Sequence, residues 1–163
     1  NPSLSATTPP SMATPSGASG SRRAGLVDRA EGGHPRPIDL RLRLREQDHA
    51  FREAALAHSR VHGQVVVTDF RPLDTLPVGN RFLVFTLFPQ ASVAVRVQWG
   101  PGREKVAVST GRSIFNRASR ANIGVLMSLY GGGGHAGAGA CLLSPATADA
   151  RIAEIVSTLE RNG

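Results

Sequence analysis

Hydrophobic and polar positions change their rhythm twice along this chain. Residues 1 to 37 show no sustained apolar pattern; they hold six of the eleven prolines and are otherwise mostly Ser, Thr, Ala, Gly and Arg. Such a segment cannot bury enough apolar surface to offset the entropy lost on ordering it, and it is expected to form a disordered N-terminal tail or linker. At Ile38 the rhythm becomes helical: DLRLRLREQDHAFREAALAHSRVHG has good helix formers, no proline, and Gly63 as a stop. Leu44, Phe51, Ala54, Ala55 and His58 recur on one face. The Arg-Leu alternation from Leu40 to Arg45 also fits a short strand, but the stretch as a whole predicts a helix from about Asp39 to Val61, a connector over residues 38 to 62.

From residue 63 to 163 the two-residue period of strands takes over, interrupted by helical stretches. Gln64 to Phe70, QVVVTDF, is β-branched and apolar and predicts a buried strand, after which Pro72, Asp74, Pro77 and Gly79 mark a loop. Arg81 to Phe88, RFLVFTLF, fits a strand or one buried helix, and periodicity does not separate them. ASVAVRVQW and KVAVS predict two alternating strands joined at Gly100-Pro101-Gly102. In NIGVLMSLY, Ile123, Leu126, Met127 and Tyr130 fall at i, i+3, i+4 and i+7 behind Asn122 as a cap, so a helix is expected to end at Gly131. AGACLL predicts a further strand, and PATADARIAEIVSTLERNG a final helix with Pro145 near its start and Gly163 at its end. No repeat of roughly 20 to 50 residues is visible. Strands interspersed with helices predict an α/β fold, a compact mixed β-sheet flanked by helices.

Composition narrows what such a fold would serve. The 163 residues are about one domain, and 40% apolar content suffices for an ordinary core. No apolar run approaches the ~18 residues of a membrane span, and the N-terminus lacks a secretory pattern, so a cytoplasmic protein with no membrane partner is expected. A single cysteine, Cys141, agrees with a reducing compartment and, in its apolar run, reads as a buried structural thiol. The net charge is +7, and every basic residue but Lys105 is arginine. Arginine's planar fork of donors favours phosphorylated ligands, although a genome rich in G and C would give the same bias. The distribution is more informative. No acidic residue stands between Glu104 and Asp149, whereas Lys105, Arg112, Arg117, Arg120 and His135 all do, which suits an anion site.

Two stretches in that window carry candidate chemistry. The first is YGGGGHAGAGACLL, Tyr130 to Leu143. Gly131 to Gly134 can take positive φ and let successive amides converge on an anion in a concave nest, with His135 donating from its edge. In that reading Gly133→Val damages binding, because a β-branched residue resists positive φ. The alternative is a helix C-cap and loop with His135 merely exposed. Neither a phosphate-binding loop ending in Lys-Ser/Thr nor a dinucleotide fingerprint matches, since no lysine follows and the glycines succeed a helix. The second stretch is STGRSIFNRAS, leaving a predicted strand, in which Arg112 or Arg117 could clamp a phosphate while Ser113, Asn116 and Ser119 add neutral donors. A solvated basic loop is the competing reading. Metal chemistry finds little support: Asp48-His49 is the only adjacent pair, and His58 and His62, one helical turn apart, have no glutamate in zinc-protease spacing. No Ser-His-Asp or Cys-His arrangement is evident. Trp99 and Phe115 could stack a base, but residues of this kind are more often core.

The segment VAVSTGRSIFNRASRANIGVLMSLYGGGGHAGAGA resembles the C-terminal DHH-associated domain of the DHH-family phosphoesterases, whose hallmark is a GGGH sequence followed by small residues. The resemblance extends upstream through HGQVVVTDF and LPVGNRFLVFTLFPQASVAVRV to cover roughly residues 40 to 163, and is nearest to the exopolyphosphatase-like and oligoribonuclease-like branch. It implies a helix at NRFLVFTLF. It also implies that Gly132, Gly133, Gly134 and His135 bind substrate, with Arg112 or Arg117 as the phosphate-binding arginine. In the family, an N-terminal domain named for its Asp-His-His motif holds two divalent metals, usually manganese, and hydrolyses phosphoesters. The smaller domain faces it and holds the substrate phosphate or terminal nucleotide.

No Asp-His-His triplet occurs in this sequence, and Gln47 to Ala50, QDHA, does not replace it. The resemblance therefore implies a substrate-binding domain, residues 63 to 163, for short single-stranded RNA, a nucleotide or polyphosphate, with no catalytic residue of its own. Manganese would belong to a DHH catalytic domain working in cis or in trans. A homodimer is compatible with the sequence. The competing expectations are a stand-alone nucleic-acid-binding module, the similar Gly-His domain of alanyl-tRNA synthetases, an interaction surface with no ligand, and a small complete hydrolase using His135 with Asp48 or Asp69.

Overall fold

Alternating β-branched residues build the centre of this protein. The computed structural model describes residues 36–162. The expected disordered tail lies outside them, apart from Arg36 and Pro37. Four helices, α1 (Pro37–His58), α2 (Leu83–Leu87), α3 (Ile123–Ser128) and α4 (Ala148–Arg161), accompany six strands. The strands are β1 (Ser59–His62), β2 (Val65–Asp69), β3 (Val93–Trp99), β4 (Val106–Arg112), β5 (Gly133–His135) and β6 (Ala138–Leu143). They form one sheet in the order β1-β2-β3-β4-β6-β5. Only β2 and β3 run parallel, joined by the crossover that contains α2, and every other neighbouring pair is antiparallel. The fold is the expected mixed α/β sheet.

The strand period puts successive side chains on opposite faces. Val65, Val93, Val95, Val97, Val106, Val108, Cys141 and Leu143 point to one face and pack against Ile123, Leu126 and Met127 of α3 and Ile155, Val156 and Leu159 of α4. On the other face Val66 meets Val84 and Phe85 of α2, beside a cluster of Phe51, Ala55 and Phe70. Farther along that face, toward β4 and β6, side chains are small and Ser109 and Ala140 stay exposed. The first face is filled; the second is filled only at one end.

Two departures from expectation have local causes. The first helix stops at His58 and not at Val61, because Ser59–His62 instead pairs residue for residue with Val65–Thr68. The Ser59 and Thr68 hydroxyls bond at 2.7 Å across that hairpin, and Gly63, at φ 55, makes the turn. On α1 itself Phe51 and Ala55 are buried as their spacing predicts, but Leu44, nearer the N-terminus, is 51% exposed. The second departure is β5, a strand formed by the glycine cluster that composition had marked as a loop. RFLVFTLF resolves as a helix, α2, entered by the Asn80 side chain accepting from the Phe82 amide at 2.9 Å. Asn122 caps α3 as expected, its Oδ1 accepting from the Val125 N–H at 3.2 Å. No described helix is long and apolar enough to cross a membrane.

Candidate functional site

The partly uncovered face of the sheet forms a cleft of about 500 Å³. Strand register decides what lies on its floor, because residues paired across neighbouring strands share a face. One row runs Thr68, Arg96, Ser109, Ala140, Gly133; the next runs Val66, Ala94, Gly111, Ala138, His135. The floor is therefore made of small residues with a few polar ones among them. Phe51, Phe70, Phe82 and Phe85 wall the end nearest α1 and α2, and Arg81, Arg96, Arg112 and His135 also border the cleft. No carboxylate lines it among the described residues. Three arginines and a histidine without a counter-charge leave a positive field in a half-enclosed, partly apolar space.

His135 is placed by the turn that follows it. The Gly137 N–H donates to its Nδ1 at 3.1 Å, so the neutral ring carries its proton on Nε2 and offers that atom as a donor. The turn is pinned on two sides: the Arg112 N–H donates to the Gly137 carbonyl at 2.9 Å, and the Ile123 N–H to the Ala136 carbonyl at 3.2 Å. Histidine and the end of β4 are thus held as one unit.

The glycines do a different job from the expected nest. At the end of α3, Gly131 at φ 75 donates to the Ser128 carbonyl at 3.2 Å, and the Gly132 N–H donates to the Met127 carbonyl at 3.0 Å, the arrangement of a helix C-cap. Those amides are occupied and cannot converge on an anion. Gly133 and Gly134 pair with Ala140 and Gly139. A Cβ on Gly124 of α3 would sit 2.7 Å from the Gly134 carbonyl oxygen, so glycine here lets the helix lie directly on the edge strand. Gly133 does not have positive φ, and a Cβ there meets nothing within 4 Å.

Of the residues picked from sequence, Arg112 and His135 come together at the cleft. Gly132 caps α3, and Gly133 and Gly134 belong to the strand that carries His135, Gly133 standing in the floor row beside Ala140. Arg117 is exposed in the loop after β4 and does not line the cleft. Asn116 and Ser119 serve that loop: the Asn116 Nδ2 donates to the Gln90 carbonyl at 3.1 Å, and the buried Ser119 hydroxyl accepts from the Ala121 N–H at 3.3 Å. Phe115 is 70% exposed at the loop's tip, whereas Trp99 donates from Nε1 to the Arg71 carbonyl at 3.2 Å and packs on the core.

Arg96 is the residue that sequence reasoning passed over. Its guanidinium lies 5.1 Å from the centroid of the Phe70 ring, and its Nε is buried with no partner. Burial pushes its pKa below the usual arginine value, with no charge or hydrogen bond opposing. A buried donor left unpaired costs about 1–3 kcal/mol. Stacking on an aromatic face returns about 0.5–2 kcal/mol. The Arg96 guanidinium thus lines the cleft with no hydrogen-bond partner among the described residues. The signal was present as a lone arginine in the alternating run VAVRVQW. Arg81, 4.9 Å from the Phe82 ring centroid, was likewise missed.

The carboxylates considered for hydrolysis lie elsewhere. Burial raises the Asp69 carboxyl, but hydrogen bonds and charge from Arg71 outweigh this and hold it below its ordinary value. Arg71 joins Asp69 at 2.6 Å to Asp149 at 2.7 Å, tying the end of β2 to the start of α4, and its own pKa is raised chiefly by the Asp69 bond. Asp48 is exposed on α1 and does not line the cleft. Among the described residues no three His, Cys, Asp or Glu side chains gather where a metal ion could be held.

No protein-family model and no curated protein matches the chain. Among solved structures it is similar to PggH, a pGpG-specific phosphodiesterase from Vibrio cholerae, with 34% identity and a TM-score of 0.74 over 77% of this chain and 44% of that one. The DHH domain of a protein described as a member of a ribosomal-protein family matches at 13% identity and a TM-score of 0.57, over 76% of this chain and 32% of that one. An exopolyphosphatase-related protein from Bacteroides fragilis matches at 10% identity and 0.54, over 71% and 36%. The last two speak to the fold alone. This chain spans less than half the length of each.

Proposed function

This chain is a relative of the DHH-family phosphoesterases, with a fold consistent with a DHH-associated domain, and from that premise we propose that it is a substrate-recognition domain for short 5′-phosphorylated ribonucleotides. The observation that carries the proposal is the cleft itself: Arg112 and His135 at one end, phenylalanines with Arg81 and Arg96 at the other, no carboxylate in the described lining, and a floor of small side chains. A phosphate takes the charged end, where His135 Nε2–H donates and Arg112 adds charge. A base takes the aromatic end, where stacking is worth about 1–3 kcal/mol per base. A dinucleotide of the pGpG type is the first ligand to try, since PggH is described as specific for it.

Hydrolysis is assigned to a separate catalytic DHH domain, in cis or in trans. Manganese belongs in that domain too, because the cleft offers arginines, one histidine and no carboxylate, a donor set that repels a divalent cation. The test is to titrate the full chain with pGpG at two salt concentrations, with and without manganese, following binding and cleavage together. Saturable binding that weakens as salt rises, with the dinucleotide intact, is the expected result. Absence of binding, or manganese-dependent cleavage by this chain alone, contradicts the proposal.

A further inference from the structure

We infer that Arg96 is a specificity-determining residue that selects guanine, donating from its planar fork to O6 and N7 of a base held among the phenylalanines. The inference rests on the reading of the cleft as a nucleotide site and adds which base it takes. Four other arginines, Arg36, Arg71, Arg103 and Arg151, are paired with carboxylates. Arg96 is half-buried on the central strand β3 and has no such partner among the described residues. Arg96 lines the cleft, and no protein hydrogen bond or carboxylate holds its guanidinium among the described residues.

Position separates this arginine from the phosphate-binding end. Gly133 stands in Arg96's row three strands away, and His135 lies two residues further along β5. With strand spacing near 4.8 Å and a rise near 3.3 Å per residue, the two backbones are about 16 Å apart. One phosphate does not bridge that interval, even with long side chains leaning inward, and Arg96 is held back over Phe70. Its surroundings, Phe70, Phe85 and Thr68, suit the flat face of a base more than a solvated anion.

The fork then discriminates by chemistry. Guanine presents two adjacent acceptors, O6 and N7, that match two parallel N–H groups; adenine presents N7 beside the N6 amino donor, which meets the fork donor to donor. Selection for guanine over adenine follows from Arg96 alone and needs no second residue.

The experiment measures the affinity of the full chain and of Arg96→Gln for pGpG, pApA and a pGpG in which 7-deazaguanine replaces guanine. Wild type is expected to prefer pGpG over pApA by about tenfold or more, and to lose about tenfold on the 7-deaza substitution. Arg96→Gln is expected to lose the guanine preference, its carboxamide matching adenine N6 and N7 instead, and to ignore the 7-deaza change. If Arg96→Gln does not fold, Arg96→Met keeps an apolar stem without any donor and is expected to lose the same preference, while the 7-deaza comparison needs wild type only. A variant that keeps the guanine preference, or one that loses equally on both dinucleotides, overturns the assignment and leaves the phosphate-binding cleft standing. Equal binding of pGpG and pApA by wild type does the same. Failure of wild type to bind any of the three overturns the nucleotide-site reading itself.

Discussion

The two faces of this sheet are built from alternate residues of the same strands, yet they obey different rules. On the face toward α3 and α4, Val65, Val93, Val95, Val97, Val106 and Val108 are each at most 1% exposed and touch one another and the helices. On the opposite face of the same strands stand Thr68, Ala94, Arg96, Ser109 and Gly111. Stability resides in the first set, where each buried β-branched side chain contributes about 1.5–3 kcal/mol. The second set gives up that contribution and keeps a floor on which something else can lie. Leaving an arginine unpaired in a half-buried position is a cost that only the second face carries.

Substitutions on the two faces should therefore separate stability from binding. Ile155→Ala, at a fully buried position of α4, is expected to lower stability by about 2–5 kcal/mol in chemical denaturation, with the affinity of the folded protein unchanged. Ser109→Ala on the opposite face is expected to stay within about 0.5 kcal/mol. If the serine proved the costlier loss, the division of labour between faces would be wrong. A pair of glycines sharpens the contrast. Gly124→Ala brings a Cβ to 2.7 Å from the Gly134 carbonyl oxygen and should cost about 1–3 kcal/mol, whereas Gly111→Ala meets nothing within 4 Å and should leave the melting temperature nearly unchanged.

His135→Ala should weaken pGpG binding by about 1–3 kcal/mol without affecting stability, since the ring is exposed and its one protein bond is to the adjacent turn. Gly133→Val is now expected to fold normally, because the residue does not adopt positive φ. Asp69→Asn should show a small effect that depends on pH. Its folded pKa lies below the ordinary 3.8, so its contribution is present above that value and lost as pH falls through the folded one. The stability gap between wild type and variant should be about 1 kcal/mol or less at neutral pH and close in acid, as denaturation at several pH values would show. A gap that widened in acid would put the Asp69–Arg71 pair in doubt.

What the sequence made legible follows the same division. Strands β2, β3, β4 and β6 and helices α3 and α4 announce themselves by period, because packing against a core imposes it. Ser59–His62 and Gly133–His135 carry no apolar alternation; they are strands because β2 and β6 offer them partners, which is a tertiary fact. The same limit applies to the site. His135 and Arg112 could be picked out by charge and neighbouring glycines, but Arg96 is separated from them by strands that only the register brings side by side. Asn116 and Ser119 had the right chemistry for a ligand, and the loop uses it internally.

The central claim, that a nucleotide lies on the open face of the sheet, is tested most directly with Gly111→Leu. Gly111 is on the cleft floor with open space above it and without positive φ, so leucine there fills the cleft while sparing the fold. The measurement is the affinity of this variant and of wild type for pGpG, with circular dichroism verifying that both are folded. Binding reduced by tenfold or more, about 1.4 kcal/mol, is the predicted result. Equal affinity for the two folded proteins would place the nucleotide elsewhere and contradict the account.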